Sequence, residues 1–273
     1  MNALFDTHAH LQDPAFAGDL GPVLERAAAA GVRGIALCGY DVPSNHAALE
    51  LAAQHPMLAP TVGIHPHDAK DVTPAIFAEL ESLAALPQVV AIGELGLDFY
   101  RDHSPHDVQR RVLDDQLSLA ASLGKPVCVH SRGAEDEIHD HLSAYARKAL
   151  ALRSANRPVG VMHCFGGSLE QARRYVSLGF LISIACTITY PKNAEARRIA
   201  ADLPLDALVV ETDSPYLPPQ RLRGQRNEPA HVLTAAEAVA AARALPLEVV
   251  ARATTENACR LFALDLKREV AAA

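Results

Sequence analysis

Leu4-Phe5-Asp6-Thr7-His8-Ala9-His10 (LFDTHAH) is a short strand-like segment that ends in two histidines. Seven further short, mainly apolar runs follow it, and a longer stretch with helical patterning separates each run from the next. Because these runs are nearly continuous in apolar residues, they are typical of parallel strands covered on both faces. The predicted strands span residues 4–8, 34–38, 58–62, 89–93, 126–130, 159–163, 180–184 and 208–211.

The regular alternation of strand and helix predicts an α/β fold. Helices are predicted at 22–30, 45–55, 74–86, 106–123, 135–151, 169–178 and 193–201, with two or three more between 230 and 273. Eight strands in a chain of 273 residues favour a single (β/α)8 TIM-type barrel, which typically needs about 250 residues. An open doubly wound sheet is the alternative fold. No Gly-, Ser- or Pro-rich linker divides the chain, so residues 1–273 are predicted to form one domain.

Net charge and cysteine content limit the classes of protein to which this chain can belong. A formal net charge of −7 argues against a protein that coats nucleic acid by bulk electrostatics, although a local basic patch is compatible with a nuclease. The five cysteines are widely spaced and form no CxxC, which is typical of reduced thiols. Neither a signal peptide nor a long apolar run is recognised, so we expect a cytoplasmic protein without a membrane span.

Residues that commonly bind metal ions stand at the ends of five predicted strands. In barrels of this type the reactive side chains sit at the C-terminal strand ends, and residues two apart on an extended chain point the same way. These side chains exceed what one tetrahedral ion needs, whereas two ions that share a carboxylate would use them all. The candidate ligands are His8, His10, Glu94, His130, His163 and Asp213.

Several neighbouring residues have both a functional and a structural interpretation. His65 and His67 follow the third strand and are candidates for outer contacts or a phosphate contact. Arg132 could bind a phosphate through two parallel hydrogen bonds or form an ordinary salt bridge. The loop 221–229 carries three arginines and either hangs over the barrel mouth or is simply solvated.

Taken together, the motifs resemble the TatD family of metal-dependent deoxyribonucleases, within the amidohydrolase superfamily. They occur in the same order along most of the chain, which makes the resemblance far more specific than one HxH pair. The motifs are DTHAHL, GIHPH, GELGLDFYR, HSR, HCFGG and ETDSPYL followed by RGQRNEP, with TTENACRLF near the end.

The resemblance implies a role for each matched residue. His8, His10 and Asp213 would hold one divalent ion, and Glu94 would bridge it to a second ion. The second ion would be held by His130 and His163, which belong to the HSR and HCFGG motifs. His65 would line the site without being a main ligand. Asp213 could also accept a proton, which makes it and Glu94 the predicted catalytic residues.

The predicted function is hydrolysis of DNA phosphodiester bonds by metal-activated water. The expected cofactors are two divalent ions per chain, with Zn, Mg, Mn, Co and Ni all compatible with the donor types. The expected partner is DNA, single-stranded or at its ends, with no obligate protein partner. The alternative is a C–N or ester hydrolase of the same superfamily that acts on a small molecule or an aminoacyl-nucleic acid ester. Because Glu94 stands where many two-metal barrels carry a modified lysine, the nuclease is favoured.

Overall fold

Residues 3–265 are described by the computed structural model, and they contain eight parallel strands that alternate with helices. The strands are β1 Leu4–Ala9, β2 Val32–Cys38, β3 Leu58–Val62, β4 Ala91–Asp98, β5 Val127–Arg132, β6 Gly160–Met162, β7 Phe180–Ala185 and β8 Leu208–Glu211. The helices are α1 Leu20–Ala29, α2 Val42–Gln54, α3 Pro74–Ala84, α4 His106–Leu123, α5 Glu135–Lys148, α6 Leu150–Ser154, α7 Leu169–Leu178, α8 Ala194–Asp202, α9 Val232–Arg243 and α10 Leu247–Phe262.

The sheet closes on itself between β8 and β1. Its strands pair in sequence order from β1 to β8, and the segment after β8 then returns to β1. The amide of Asp213 donates to the carbonyl of His8 (2.9 Å), and the amide of His10 donates to the carbonyl of Ser214 (2.8 Å). The predicted (β/α)8 barrel is therefore confirmed, and the open-sheet alternative is wrong.

The barrel interior is a packed core. One buried layer takes one residue from every strand, and α10 adds Ala258, Leu261 and Phe262 to it. The rings of Phe5 and Phe262 lie 5.7 Å apart. Filling the interior with side chains leaves the loops at the C-terminal strand ends to form the open surface. The strand residues of this layer are Phe5, Ala36, Ala59, Ala91, Cys128, Val161, Leu181 and Val209.

β4 differs most from its predicted bounds, because it continues to Asp98 instead of ending at Gly93. Its pairing with β5 shifts between Ile92 and Leu95, and Gly93 has φ of 147°. A Cβ at Gly93 would lie 2.5 Å from the carbonyl oxygen of Cys128, so glycine is required there. Glycine weakens a strand signal but often marks such an irregularity, which explains why the prediction stopped early.

The remaining elements follow the predicted alternation. The predicted helix over 135–151 is divided into α5 and α6, and the tail contains α9 and α10. Residues 266–273, which were included in the predicted helical tail, lie outside the described residues. Within 3–265, no helix combines the length and apolar character that crossing a membrane requires.

Candidate metal centre

His8 and His10 converge with Asp213 at the mouth of the barrel. Their Nε2 atoms lie 3.1 Å apart, and Asp213 Oδ1 lies 3.6 Å from His10 Nε2 and 4.0 Å from His8 Nε2. Nδ1 of His10 lies 2.8 Å from the carbonyl oxygen of Cys38. Since a carbonyl only accepts, His10 carries its proton on Nδ1 and presents the Nε2 lone pair to the site.

Glu94 lies between two groups of histidines, with one carboxylate oxygen toward each. Oε2 is 3.3 Å from His8 Nε2 and 3.6 Å from His10 Nε2. Oε1 is 3.1 Å from His130 Nδ1 and 3.7 Å from His163 Nε2. Burial alone would raise the pKa of Glu94, but the surrounding histidines hold that pKa well below its usual range. The residue is therefore a carboxylate with both oxygens available.

The two histidines of the second group are each backed by a buried carboxylate. His130 Nε2 lies 3.2 Å from Asp98 Oδ2, and His163 Nδ1 lies 3.0 Å from Glu211 Oε1. A ring that directs its N–H at a carboxylate presents its other nitrogen as a lone pair. His130 thus offers Nδ1 to the space beside Glu94. Nε2 of His163 faces the same space, while its Nδ1 lies near Glu211 without forming a hydrogen bond.

Asp98 and Glu211 were not singled out from the sequence, although both occur in quoted motifs. Asp98 is 1% exposed and Glu211 is fully buried. Asp98 Oδ2 also lies 2.9 Å from His67 Nε2. Carboxylates at strand ends, within a few positions of candidate ligands, are the signal that could have identified them.

His65 also lies beside Glu94, with Nε2 3.5 Å from Oε1. Its Nδ1 accepts the amide hydrogen of His67 at 3.1 Å, and burial lowers the pKa of His65 to about 4. The neutral ring must therefore carry its proton on Nε2, toward Glu94. This tautomer makes His65 a hydrogen-bond donor at the site, although its position alone also suits a ligand.

The donor set fits divalent cations. Three overlapping groups each bring ligand atoms within 4.8 Å of one another: His8–Glu94–His163, His8–His10–Asp213 and His65–Glu94–His130. Burial alone would lower the pKa of His163, but Glu211, Asp213 and Glu94 raise it to about 10. The negative charge of these buried carboxylates can be neutralised by a bound proton or by a cation. Imidazole and carboxylate donors together suit divalent transition metals.

Two connected cavities form the cleft above these residues. The inner cavity, about 450 Å³, is lined by His10, Glu94 and Asp213 among others. The outer cavity, about 650 Å³, is lined by Arg132 and shares His130, His163 and other walls with the first. The Arg132 guanidinium lies 4.1 Å from the ring centroid of Tyr100. Among residues 3–265, it has neither the predicted alternative salt bridge nor a hydrogen bond.

The arginines of the 221–229 loop have structural partners instead of facing the cleft. Arg226 pairs with Asp19 (2.7 Å) and Glu228 (3.0 Å). Arg221 donates to Thr234 Oγ1, and Arg223 lies over the ring of Tyr190. None of these three arginines lines either cavity, so the interpretation of this loop as a cationic rim over the barrel mouth is not supported.

Residues 5–263 match the family model for TatD related DNase. The chain belongs to the TatD family. It is 37% identical over 262 residues to the metal-dependent hydrolase YabD of Bacillus subtilis, covering 96% of this chain and 100% of that protein. It is 35% identical over 268 residues to the 3'-5' ssDNA/RNA exonuclease TatD of Klebsiella pneumoniae, covering 96% and 99%.

A solved TatD structure has the same fold. The crystal structure of YjjV, a TatD homolog from Escherichia coli K12, superimposes with a TM-score of 0.88 at 34% identity, covering 96% of this chain and 98% of that one. The family predicted from the motifs is therefore confirmed, and the chain is a TatD-like metal-dependent hydrolase.

Proposed function

We propose that this TatD family member cleaves phosphodiester bonds of nucleic acid, with DNA as the favoured substrate, at a centre of two divalent cations. One ion would be held by His8, His10 and Asp213, and the second by His130 and His163. Glu94 would be shared between them. The observation that carries the proposal is the position of Glu94, whose two oxygens face two separate groups of histidines.

Each of the chain's own residues has a defined task in this reaction. Divalent cations at such a centre supply Lewis acidity and lower the pKa of bound water to about 7. His163, His10 and His8 pull the pKa of Asp213 below its usual value against the effect of burial. Asp213 is therefore ionised at neutral pH, as a metal ligand or a proton acceptor must be. His65 directs its Nε2–H toward Glu94 and the cleft. Arg132 lines the outer cavity and binds a substrate phosphate there.

The substrate class follows from the relatives and from the cleft. The Klebsiella relative is named a 3'-5' ssDNA/RNA exonuclease, which supports a nucleic acid substrate and, for this chain, a single strand or a strand end. The donor types allow Zn, Mn, Co, Ni or Mg. We also propose a cytoplasmic location, because Cys38, Cys128, Cys164 and Cys186 are free thiols, as is usual in a reducing compartment. We further propose that the chain forms one domain, because all eight strands belong to a single sheet.

The test combines a metal measurement with a substrate panel. Glu94→Ala should lower hydrolysis of single-stranded DNA by about 100-fold or more, because several kcal/mol of transition-state stabilisation depend on the ions. It should also reduce bound metal while circular dichroism shows an intact fold. Glu248→Ala, on the exposed face of α10, is the matched control and should change neither quantity. Full activity and full metal content in Glu94→Ala would contradict the proposal.

The alternative function is C–N or ester hydrolysis of the kind known in the wider superfamily. Lys125, which precedes β5, donates instead to the carbonyls of Ala84 and Leu86. It therefore cannot replace Glu94 as a bridging group. A panel of amides, esters and phosphodiesters decides between the two functions, and turnover of amides or esters alone would favour the alternative.

A further inference from the structure

The outer cavity lies beside the metal centre, and two arginines form part of its wall. Arg101 and Arg132 both line it, and neither guanidinium has an ion pair or hydrogen bond among residues 3–265. The acidic residues there are already engaged. Asp98 accepts from His67, His130 and two backbone amides, and Glu135 accepts from the amide of Gly133. Asp213, the third carboxylate of the lining, is a candidate metal ligand. The two guanidiniums therefore keep N–H donors that suit a phosphate.

An exposed aromatic ring stands against these cations. Tyr100 is 66% exposed, with the Arg132 guanidinium 4.1 Å and the Arg101 guanidinium 5.9 Å from its ring centroid. The backbone that carries this ring is held by Asp98, because Asp98 Oδ1 accepts hydrogen bonds from the backbone amides of both Tyr100 and Arg101 at 2.9 Å. The same carboxylate contacts His130, so one side chain joins the backbone of Tyr100 to the metal centre.

A guanidinium pair beside an aromatic ring suits a nucleotide. Phosphate groups bind to arginine forks, and unpaired bases stack on aromatic and guanidinium planes. A volume of about 650 Å³ falls within the range of ordinary ligand sites, roughly 300–1,000 Å³. A base in a duplex already has both faces stacked, so this arrangement selects a single strand.

We propose that the outer cavity is a nucleotide subsite for the residue next to the scissile phosphate. Arg101 and Arg132 bind its phosphate, and Tyr100 stacks on its base. This inference rests on the proposed nuclease function and specifies why that function acts on single strands.

The experiment compares a substrate with bases to one without them. Kinetics are measured on a short oligothymidylate and on bis(p-nitrophenyl) phosphate, for wild type, Tyr100→Ala and Tyr100→Phe. Tyr100→Ala should raise KM for the oligonucleotide about tenfold or more. This increase should exceed any increase of KM for the small phosphodiester by about fivefold or more. Tyr100→Phe keeps the ring and should restore oligonucleotide KM. Leu150→Ala, at a side chain that is also 66% exposed, is the control and should behave as wild type.

The outcomes separate the subsite from the nuclease function. Equal KM values for Tyr100→Ala and wild type, or equal losses on both substrates, would overturn the subsite. If wild type cleaves no phosphodiester, the nuclease function fails. Fluorescence anisotropy with the labelled oligonucleotide then decides the subsite by itself: weaker binding in Tyr100→Ala supports it, and unchanged or absent binding overturns it.

Discussion

His130 Nε2 lies 3.2 Å from Asp98 Oδ2, while Nδ1 of the same ring lies 3.1 Å from Glu94 Oε1. The buried Asp98 carboxylate thus determines which ring nitrogen of His130 faces the metal centre. Groups that orient a ligand histidine in this way commonly change metal affinity about 10–100-fold when they are replaced.

Asp98→Asn should therefore weaken the binding of one metal ion by about 10–100-fold and change the binding of the other much less. Isothermal titration of metal-free protein with Mn²⁺ measures both steps. Asp68→Asn is the control, because it also removes a nearby negative charge. Within residues 3–265, no hydrogen bond or ion pair joins the Asp68 carboxylate to a candidate ligand. Equal effects of the two variants would show that Asp98 contributes only charge.

Arg132→Gln should weaken binding of single-stranded DNA mainly through lost electrostatic attraction. Because a phosphate contact releases counterions, the slope of log Kd against log salt should fall by about 0.7 for the one contact removed. Binding is measured by anisotropy over a range of salt concentrations. Arg223→Gln is the matched control, since Arg223 lies over Tyr190 in the 221–229 loop, and an equal change of slope there would contradict a specific role for Arg132.

Glu228→Gln should destabilise the protein at neutral pH and have less effect in acid. Burial would raise the pKa of Glu228, but hydrogen bonds from Arg26 and Arg226 outweigh it and lower that pKa. A carboxyl whose pKa is lowered in the folded state stabilises the folded protein at pH values above its unfolded-state pKa, about 4.3. This stabilisation is lost as the pH falls through the folded-state pKa. We expect a difference of about 1 kcal/mol at neutral pH.

Urea unfolding of wild type and Glu228→Gln at neutral pH and at about pH 3 measures this difference. The gap between the two proteins should narrow in acid. Glu237→Gln, at an exposed position of α9, should stay within about 0.5 kcal/mol of wild type at both pH values. A gap that is the same at both pH values would show that ionisation of Glu228 does not contribute to stability.

The barrel and the grouping of site residues were predictable because both depend on local patterns. Apolar runs identify strands, and parallel strands necessarily bring their C-terminal ends to one side. His8 and His10 converge because they are two apart on a strand. The irregular pairing at Glu94 was not predictable from strand propensity, since Gly93 interrupts the apolar pattern that the structure continues to Asp98.

Contacts between distant segments account for what the sequence could not predict. Asp98 reaches His130 only because β4 and β5 pair in a particular register, with Asp98 opposite Arg132. Arg226 binds Asp19, which lies 207 positions earlier. Composition alone therefore suggested a cationic rim, whereas Arg226 forms an ion pair with another part of the same chain. Tautomers also depend on such contacts, and the proton position of His65 follows from one backbone amide.

The most direct test of the account is an anomalous-scattering map from crystals soaked in Mn²⁺. The account predicts two peaks roughly 3.5–4 Å apart, with Glu94 between them, one beside His8, His10 and Asp213 and the other beside His130 and His163. A single peak, or two peaks of which Glu94 contacts only one, would contradict the bridged two-ion centre.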